Sequence, residues 1–187
     1  MTGMHALWIP IVVSAVAVFF GSTLVHMVLG FWHAGDFGQA PNEDGLMDAM
    51  RPFNIPPGDY FLPRPGGMAD MKSDAYKNKV NKGPKVIMTV LTPGMTGMGK
   101  NLFWWFIYSL VIGVFGAYVA SRALPVGADY LHVFRFVGVS TFLGYSGALW
   151  PATIWYQRSL GTTIRSTIDG LLYACLTAGV FGWLWPR

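Results

Sequence analysis

Four apolar segments alternate with polar ones along the chain, and this pattern predicts four membrane-spanning helices. The segments cover residues 7–31, 101–121, 131–150 and 168–185. Each comes close to the roughly 20 residues that cross a hydrocarbon core at about 1.5 Å per residue. Residues 1–6 contain no lysine or arginine, so we expect a retained helix rather than a cleaved secretory signal.

A polar stretch at residues 32–100 separates the first two segments and predicts a small insert outside the membrane. Within it we expect a short helix from Asn42 to about Met50 and a second helix over residues 69–81. Residues 85–91 are β-branched and alternate, which predicts a strand that pairs with residues 60–62. The expected fold is an all-α membrane protein of four transmembrane helices with a small α/β extramembrane insert between helices 1 and 2. The expected parts are transmembrane helix 1 at 1–31, the insert at 32–100 and helices 2–4 at 101–187.

Small residues recur within the second and third segments at helical spacing. Such residues let neighbouring membrane helices approach closely. We expect helix packing, within the chain or between chains, at Gly113, Gly116, Gly144 and Gly147.

Composition supports the membrane interpretation, and the distribution of charge predicts an orientation. Of the 187 residues, 53% are hydrophobic and only 12% are charged, whereas soluble domains carry about 25% charged residues. Lysine and arginine near the ends of the segments are more numerous on the side of the insert. The positive-inside tendency therefore predicts a multi-pass protein of the bacterial inner membrane, with a cytoplasmic insert and both termini outside. Five insert lysines are expected to contact anionic lipid headgroups: Lys72, Lys77, Lys79, Lys82 and Lys85.

Two histidines at the end of the first segment are candidate metal ligands. His26 and His33 share one face if the helix continues past Gly30, and Asp36 follows closely. These three residues could bind copper or zinc, although ordinary interfacial histidines bonded to backbone or water would give the same pattern. His132 begins the third segment and should lie near the opposite membrane face, which argues against a bis-histidine haem.

Methionine pairs suggest copper as one possible metal. Their spacing is MxxM in each case, and thioethers are soft ligands that favour Cu(I). The alternative to copper binding is that these flexible side chains fill irregular spaces in the packing. The pairs are Met47 with Met50, Met68 with Met71, and Met95 with Met98.

Arg135 and Asp169 are the ionisable residues nearest the hydrocarbon. Both lie near the ends of predicted segments, and on opposite sides, so we do not expect them to pair. Asp169 is expected at a helix start, where a carboxylate interacts favourably with the helix dipole.

Sequence motifs for catalysis are missing, and we expect a protein without enzymatic activity or a cofactor. The chain has no GxSxG, HExxH, Walker A or CxxC sequence, and its lysines are not interleaved with the stacking aromatics of a nucleic-acid surface. The first segment ending VHMVL and the closing GLLYACLTAGVFGWLWPR resemble small bacterial four-span membrane proteins of unassigned function. The leading hypothesis is a structural or accessory subunit that self-associates or joins a larger inner-membrane complex. The alternatives are a metal-handling membrane protein and a small oligomeric channel or transporter.

Overall fold

A computed structural model describes residues 2–94 and 97–187 and shows a mostly helical chain in two compact units. The helical unit comprises Met1–Gly38 and Gly97–Arg187, and the insert unit comprises Gln39–Thr96. Residues 32–38, which the sequence pattern assigns to the insert, therefore belong to the helical unit.

The helices are α1 (Trp8–Thr23), α2 (Glu43–Met50), α3 (Met68–Lys72), α4 (Asp74–Lys82), α5 (Met98–Ala123), α6 (Tyr130–Ser146), α7 (Trp150–Tyr156) and α8 (Leu160–Trp183). Leu24–Val28 continues α1 as a π-helical turn, and short 3₁₀ turns follow at Gly30–Trp32 and Gly147–Leu149. The strands are β1 (Gly58–Leu62) and β2 (Val86–Val90).

Two helical stretches, Trp8–Val28 and Met98–Ala123, are long and apolar enough to cross a membrane. They correspond to the first and second predicted spans, and they are consistent with a membrane protein. The third and fourth predicted spans correspond to α6 and α8. Within the described residues neither helix meets the same requirement for length and apolar composition.

Each of the four long helices of the helical unit packs against two others. Helix α1 contacts α5 and α8, and α6 also contacts α5 and α8. At one end Leu7, Val133 and Phe181 are fully buried in an apolar cluster. The turn between α5 and α6 uses Gly127 at φ +78°, and its N–H donates to the Pro186 carbonyl at 2.9 Å, so the chain end is fixed beside this turn.

Glycines allow the helices of one chain to approach closely. A Cβ at Gly116 would lie 2.8 Å from Thr141 Cγ2, and one at Gly144 would lie 2.6 Å from Ile112 Cδ1. At Gly113 an added Cβ would meet its neighbours at an ordinary 3.6 Å, and at Gly147 it would meet nothing within 4 Å. Gly116 and Gly144 are therefore placed at tight contacts between helices of the same chain.

The final helix begins earlier than the apolar pattern predicts. The expected start at Ile168 is wrong, because α8 already begins at Leu160. In its first turns Thr167 Oγ1 donates to the Thr163 carbonyl at 2.7 Å, and the Thr163 hydroxyl pairs with that of Thr153 on α7 at 2.5 Å. Hydroxyl groups that find partners in this way can be buried inside a helix. Because of the earlier start, Asp169 lies well inside the helix, and only 6% of it is exposed.

The insert unit contains a small antiparallel sheet, which confirms the predicted pairing. Tyr60 is paired with Met88 in the register of β1 and β2. Asn42 caps α2 by accepting from the Gly45 N–H at 3.3 Å. The single helix predicted at residues 69–81 is instead two helices, because Ser73 adopts an extended conformation and caps α4 through the Tyr76 N–H. All five insert lysines are exposed, and Lys77 pairs with Asp74 at 3.0 Å.

Candidate metal centre

Three side chains from two parts of the helical unit form a cluster of metal-ligand type. A ring nitrogen of His26, a ring nitrogen of His33 and a carboxylate oxygen of Asp169 lie within 4.8 Å of one another. His26 lies in the π-helical turn that continues α1, a local geometry found frequently at functional sites. His33 directly follows the 3₁₀ turn, and Asp169 comes from the middle of α8.

His33 lies between two carboxylates. Its Nδ1 is 2.7 Å from Asp36 Oδ2, and its Nε2 is 3.1 Å from Asp169 Oδ2. The first contact is a hydrogen bond, whereas Nε2 is buried and has no hydrogen-bond partner among the described residues. Since Asp36 can only accept, Nδ1 carries the proton, and in the neutral imidazole the lone pair is on Nε2. Nε2 faces the Asp169 carboxylate at a separation that both an ion pair and a shared metal ion fit.

The separation of His33 Nε2 and Asp169 Oδ2 fits two ligands on one ion. Ligand atoms about 2.0–2.1 Å from zinc are about 3.3 Å apart at a tetrahedral angle and about 2.9 Å apart at a right angle. The observed 3.1 Å lies between these values. The third ligand atom lies within 4.8 Å of the others, so His26 needs to move closer by at most about 1.5 Å to complete tetrahedral geometry.

The other two ligands are also held by outer contacts. His26 Nδ1 is 3.0 Å from the Ser22 carbonyl oxygen, which requires a proton on Nδ1 and leaves Nε2 with the lone pair. The indole N–H of Trp32 donates to Asp169 Oδ1 at 2.9 Å, which leaves Oδ2 facing His33. Metal-binding histidines commonly donate their second N–H to a carbonyl or carboxylate in this way.

Asp36 acts on the cluster through His33 and is itself fixed by Arg165. Arg165 donates to Asp36 Oδ1 from Nε at 2.9 Å and from Nη2 at 2.5 Å. Burial would raise the pKa of Asp36, but the hydrogen bonds from His33 and Arg165 and the positive charge of Arg165 outweigh it and lower the pKa below its usual 3.8. Asp36 is therefore a carboxylate that orients His33.

The two histidine rings are nearly parallel. Their centroids are 4.4 Å apart with an angle of 15° between the planes.

The cluster contains two of the three predicted metal ligands. His26 and His33 lie together in it, Asp36 lies outside it, and the third member is Asp169. The expectation that Asp169 marks a helix start is wrong, since α8 begins nine residues earlier, at Leu160. The spacing of Arg165, Asp169 and Tyr173 at i, i+4 and i+8 puts them on one helical face. This pattern could have identified Asp169, whereas no sequence signal indicates Trp32.

The remaining candidates are placed elsewhere. His132 pairs with Asp129 in the first turn of α6, and Arg135 is exposed on the same helix. Met47 and Met50 belong to α2, and Met68 and Met71 belong to α3. Met98 begins α5, and its predicted partner Met95 lies outside the described residues.

Comparison of the chain with protein-family models, curated proteins and solved structures finds no match.

Proposed function

We propose that this chain is a four-span membrane protein that binds one divalent transition-metal ion, Zn²⁺ or Fe²⁺, through His26, His33 and Asp169. The observation that carries the proposal is the arrangement of the ligands: one donor atom from each of the three lies within 4.8 Å of the others, and each side chain is held by an outer contact. Two imidazoles and one carboxylate suit zinc and iron. Imidazole also binds copper, but the thioether pairs that favour Cu(I) belong in two cases to α2 and α3 of the insert unit.

The distribution of side chains by size supports four spans. Several large apolar residues on α6 and α8 face outward: Val139 is 64% exposed, Leu143 63% and Leu171 50%. Small or hydroxyl-bearing residues, including Thr141 and Ala178, are fully buried. This arrangement suits helices that are surrounded by lipid and packed through small residues.

Helices α6 and α8 are long enough to cross the hydrocarbon core of a membrane. The 17 residues of α6 extend about 25 Å, and the 3₁₀ turn after it adds about 6 Å. The 24 residues of α8 extend about 36 Å. Both distances match a hydrocarbon core of about 30 Å. We retain the bacterial inner membrane and a cytoplasmic insert as the orientation that the lysines favour.

The buried hydroxyls of Ser109, Thr141 and Thr177 each donate to a carbonyl four residues earlier in their own helix. Those of Tyr145 and Thr162 have no hydrogen-bond partner among the described residues. The channel or transporter hypothesis stays a prediction. The accessory-subunit hypothesis stays a prediction, and the close contacts of Gly116 and Gly144 are used within one chain.

Metal content tests the proposal. The full chain is purified in a mild detergent, stripped with chelator, incubated with Zn²⁺ or with Fe²⁺ under anaerobic conditions, and freed of excess metal. Elemental analysis and native mass spectrometry then report bound metal per chain, oligomer number and any other bound mass. We expect one ion per chain in the unmodified protein and a loss of binding in His33→Ala and Asp169→Asn.

The matched control is His132→Ala, which removes an exposed histidine that pairs only with its neighbour Asp129 on the first turn of α6. This variant should keep one ion per chain. The proposal is refuted if the unmodified protein retains no metal. It is also refuted if the His33 and Asp169 variants bind as much metal as the control.

A further inference from the structure

We infer that the bound metal keeps a coordination position open on the side of His26 and binds an exogenous oxygen or nitrogen ligand there, with water as the resting occupant. This inference depends on the proposed metal site. It adds that the ion is placed to act on a ligand from outside the chain, instead of being enclosed as a structural ion.

The number of protein donors supports an open position. Three donors form the cluster, and within the described ranges 2–94 and 97–187 no fourth histidine, cysteine or carboxylate joins them. Structural zinc sites are normally closed by four protein ligands, whereas catalytic sites combine three with water. Two histidines and one carboxylate with open positions are also the ligand set of mononuclear Fe²⁺ sites that activate small molecules.

The other side chains that contact the ligands are already engaged or chemically unsuited. Asp36 uses Oδ1 for Arg165 and Oδ2 for His33 Nδ1. The Trp32 indole nitrogen is only a donor, and it bonds to Asp169. The Tyr173 hydroxyl lies 3.5 Å from His26 Nδ1. This is the ring nitrogen that donates to the Ser22 carbonyl.

The exposure of the three ligands shows from which side a ligand can approach. Asp169, in the middle of α8, is buried, and only 17% of the His33 side chain is exposed. His26 is exposed and lies near the end of the first predicted span, residues 7–31. The fourth position therefore opens past His26, where the cluster reaches the surface of the helical unit close to the membrane boundary.

An ion in this setting changes the chemistry of the ligand it binds. Zinc coordinated by three protein ligands lowers the pKa of bound water to about 7, from about 15.7 in bulk water. A water at the open position could thus supply hydroxide near neutral pH. The ligand class expected there is small: water, hydroxide, azide, or a carboxylate or phosphate oxygen of a larger molecule.

Cobalt substitution tests the open position with the unmodified full-length protein. Co²⁺ replaces the metal, its visible absorption spectrum is recorded, and azide is then added in steps. An open site predicts a saturable shift of the cobalt bands with one azide per ion. A cobalt spectrum that azide leaves unchanged would overturn this inference while leaving the metal site intact. Failure to bind Co²⁺, Zn²⁺ or Fe²⁺ would overturn both proposals.

A second variant tests the side of approach. In His26→Gly the exposed ligand is removed, and free imidazole should enter the vacated place and restore cobalt binding in proportion to its concentration. N-methylated imidazole, which retains one lone-pair nitrogen, should also restore it, and cyclopentane carboxamide, of similar size without an imidazole nitrogen, should not. If circular dichroism shows a folded variant that imidazole does not rescue, the opening on the His26 side is refuted.

Discussion

The most informative single change is Asp36→Asn, which alters no proposed metal ligand. Asp36 Oδ2 accepts from His33 Nδ1 at 2.7 Å, and Oδ1 accepts two bonds from Arg165. Asparagine preserves the size and one oxygen but removes the negative charge that makes the His33 nitrogen a stronger donor to metal. We expect the ion to bind more weakly while the fold is retained.

The expected loss of metal affinity follows from the type of contact that is removed. Replacing a group that orients a metal ligand typically lowers affinity by about 10–100-fold. This corresponds to about 1.4–2.7 kcal/mol, which agrees with the roughly 1.5–3 kcal/mol of a hydrogen bond to a charged group. Arg165 acts through Asp36, so the double variant Asp36→Asn, Arg165→Gln should bind metal about as well as the more affected single variant.

Competition with a chromophoric zinc chelator measures the affinity in detergent. The control is Asp74→Asn, which makes the same change at a side chain that is 92% exposed in the insert unit and pairs with Lys77. It should not alter the affinity. If Asp36→Asn binds zinc within twofold of the unmodified protein, or if the losses of the two single variants add fully in the double variant, the orienting role of Asp36 is wrong.

Three further predictions concern packing, pH and lipid contact. Gly116→Ala should destabilise the chain by about 1–3 kcal/mol because its Cβ would collide with Thr141. In thermal unfolding, the matched Gly113→Ala, which meets only ordinary contacts, should be neutral or slightly stabilising. The Asp129 carboxylate caps α6, and backbone N–H groups of His132 and Leu131, aided by the charge of His132, outweigh desolvation and hold its pKa below the usual 3.8. The stabilisation that this carboxylate contributes is present above about pH 4 and is lost as the pH falls through the lowered pKa. The difference in melting temperature between the unmodified protein and Asp129→Asn should therefore persist at pH 7 and shrink below pH 3.8. Replacing the five insert lysines by glutamine should reduce the number of anionic lipids that native mass spectrometry finds on the chain, and unchanged retention would contradict a headgroup contact.

Local patterns were sufficient to predict much of the secondary structure. The apolar runs correspond to α1 and α5, since about 20 consecutive apolar residues favour a long helix whatever its neighbours are. The alternation in residues 86–90 predicts β2, and Asn42 predicts the start of α2 through the N–H group it caps. Both signals depend on residues a few positions apart.

Where composition is mixed, local patterns misplace helix boundaries. The threonine-rich start of α8 appears polar in a hydropathy window, but the Thr167 hydroxyl bonds to a carbonyl of the same helix and that of Thr163 pairs with Thr153. Ser73 was predicted inside a helix, although its side chain can cap the next one and divide the segment. In both cases a hydroxyl group competes for backbone partners, which apolar periodicity does not describe.

The sequence by itself determined the two longest apolar helices, the paired strands of the insert and the two histidines as candidate ligands. Only the tertiary structure decided that Asp169, rather than Asp36, joins them. That choice depends on the packing of α1 against α8, and it brings Trp32 to a carboxylate 137 residues away in the chain. Contacts at such separations leave no local pattern, because they are set by how whole helices rotate and slide to bury their small residues.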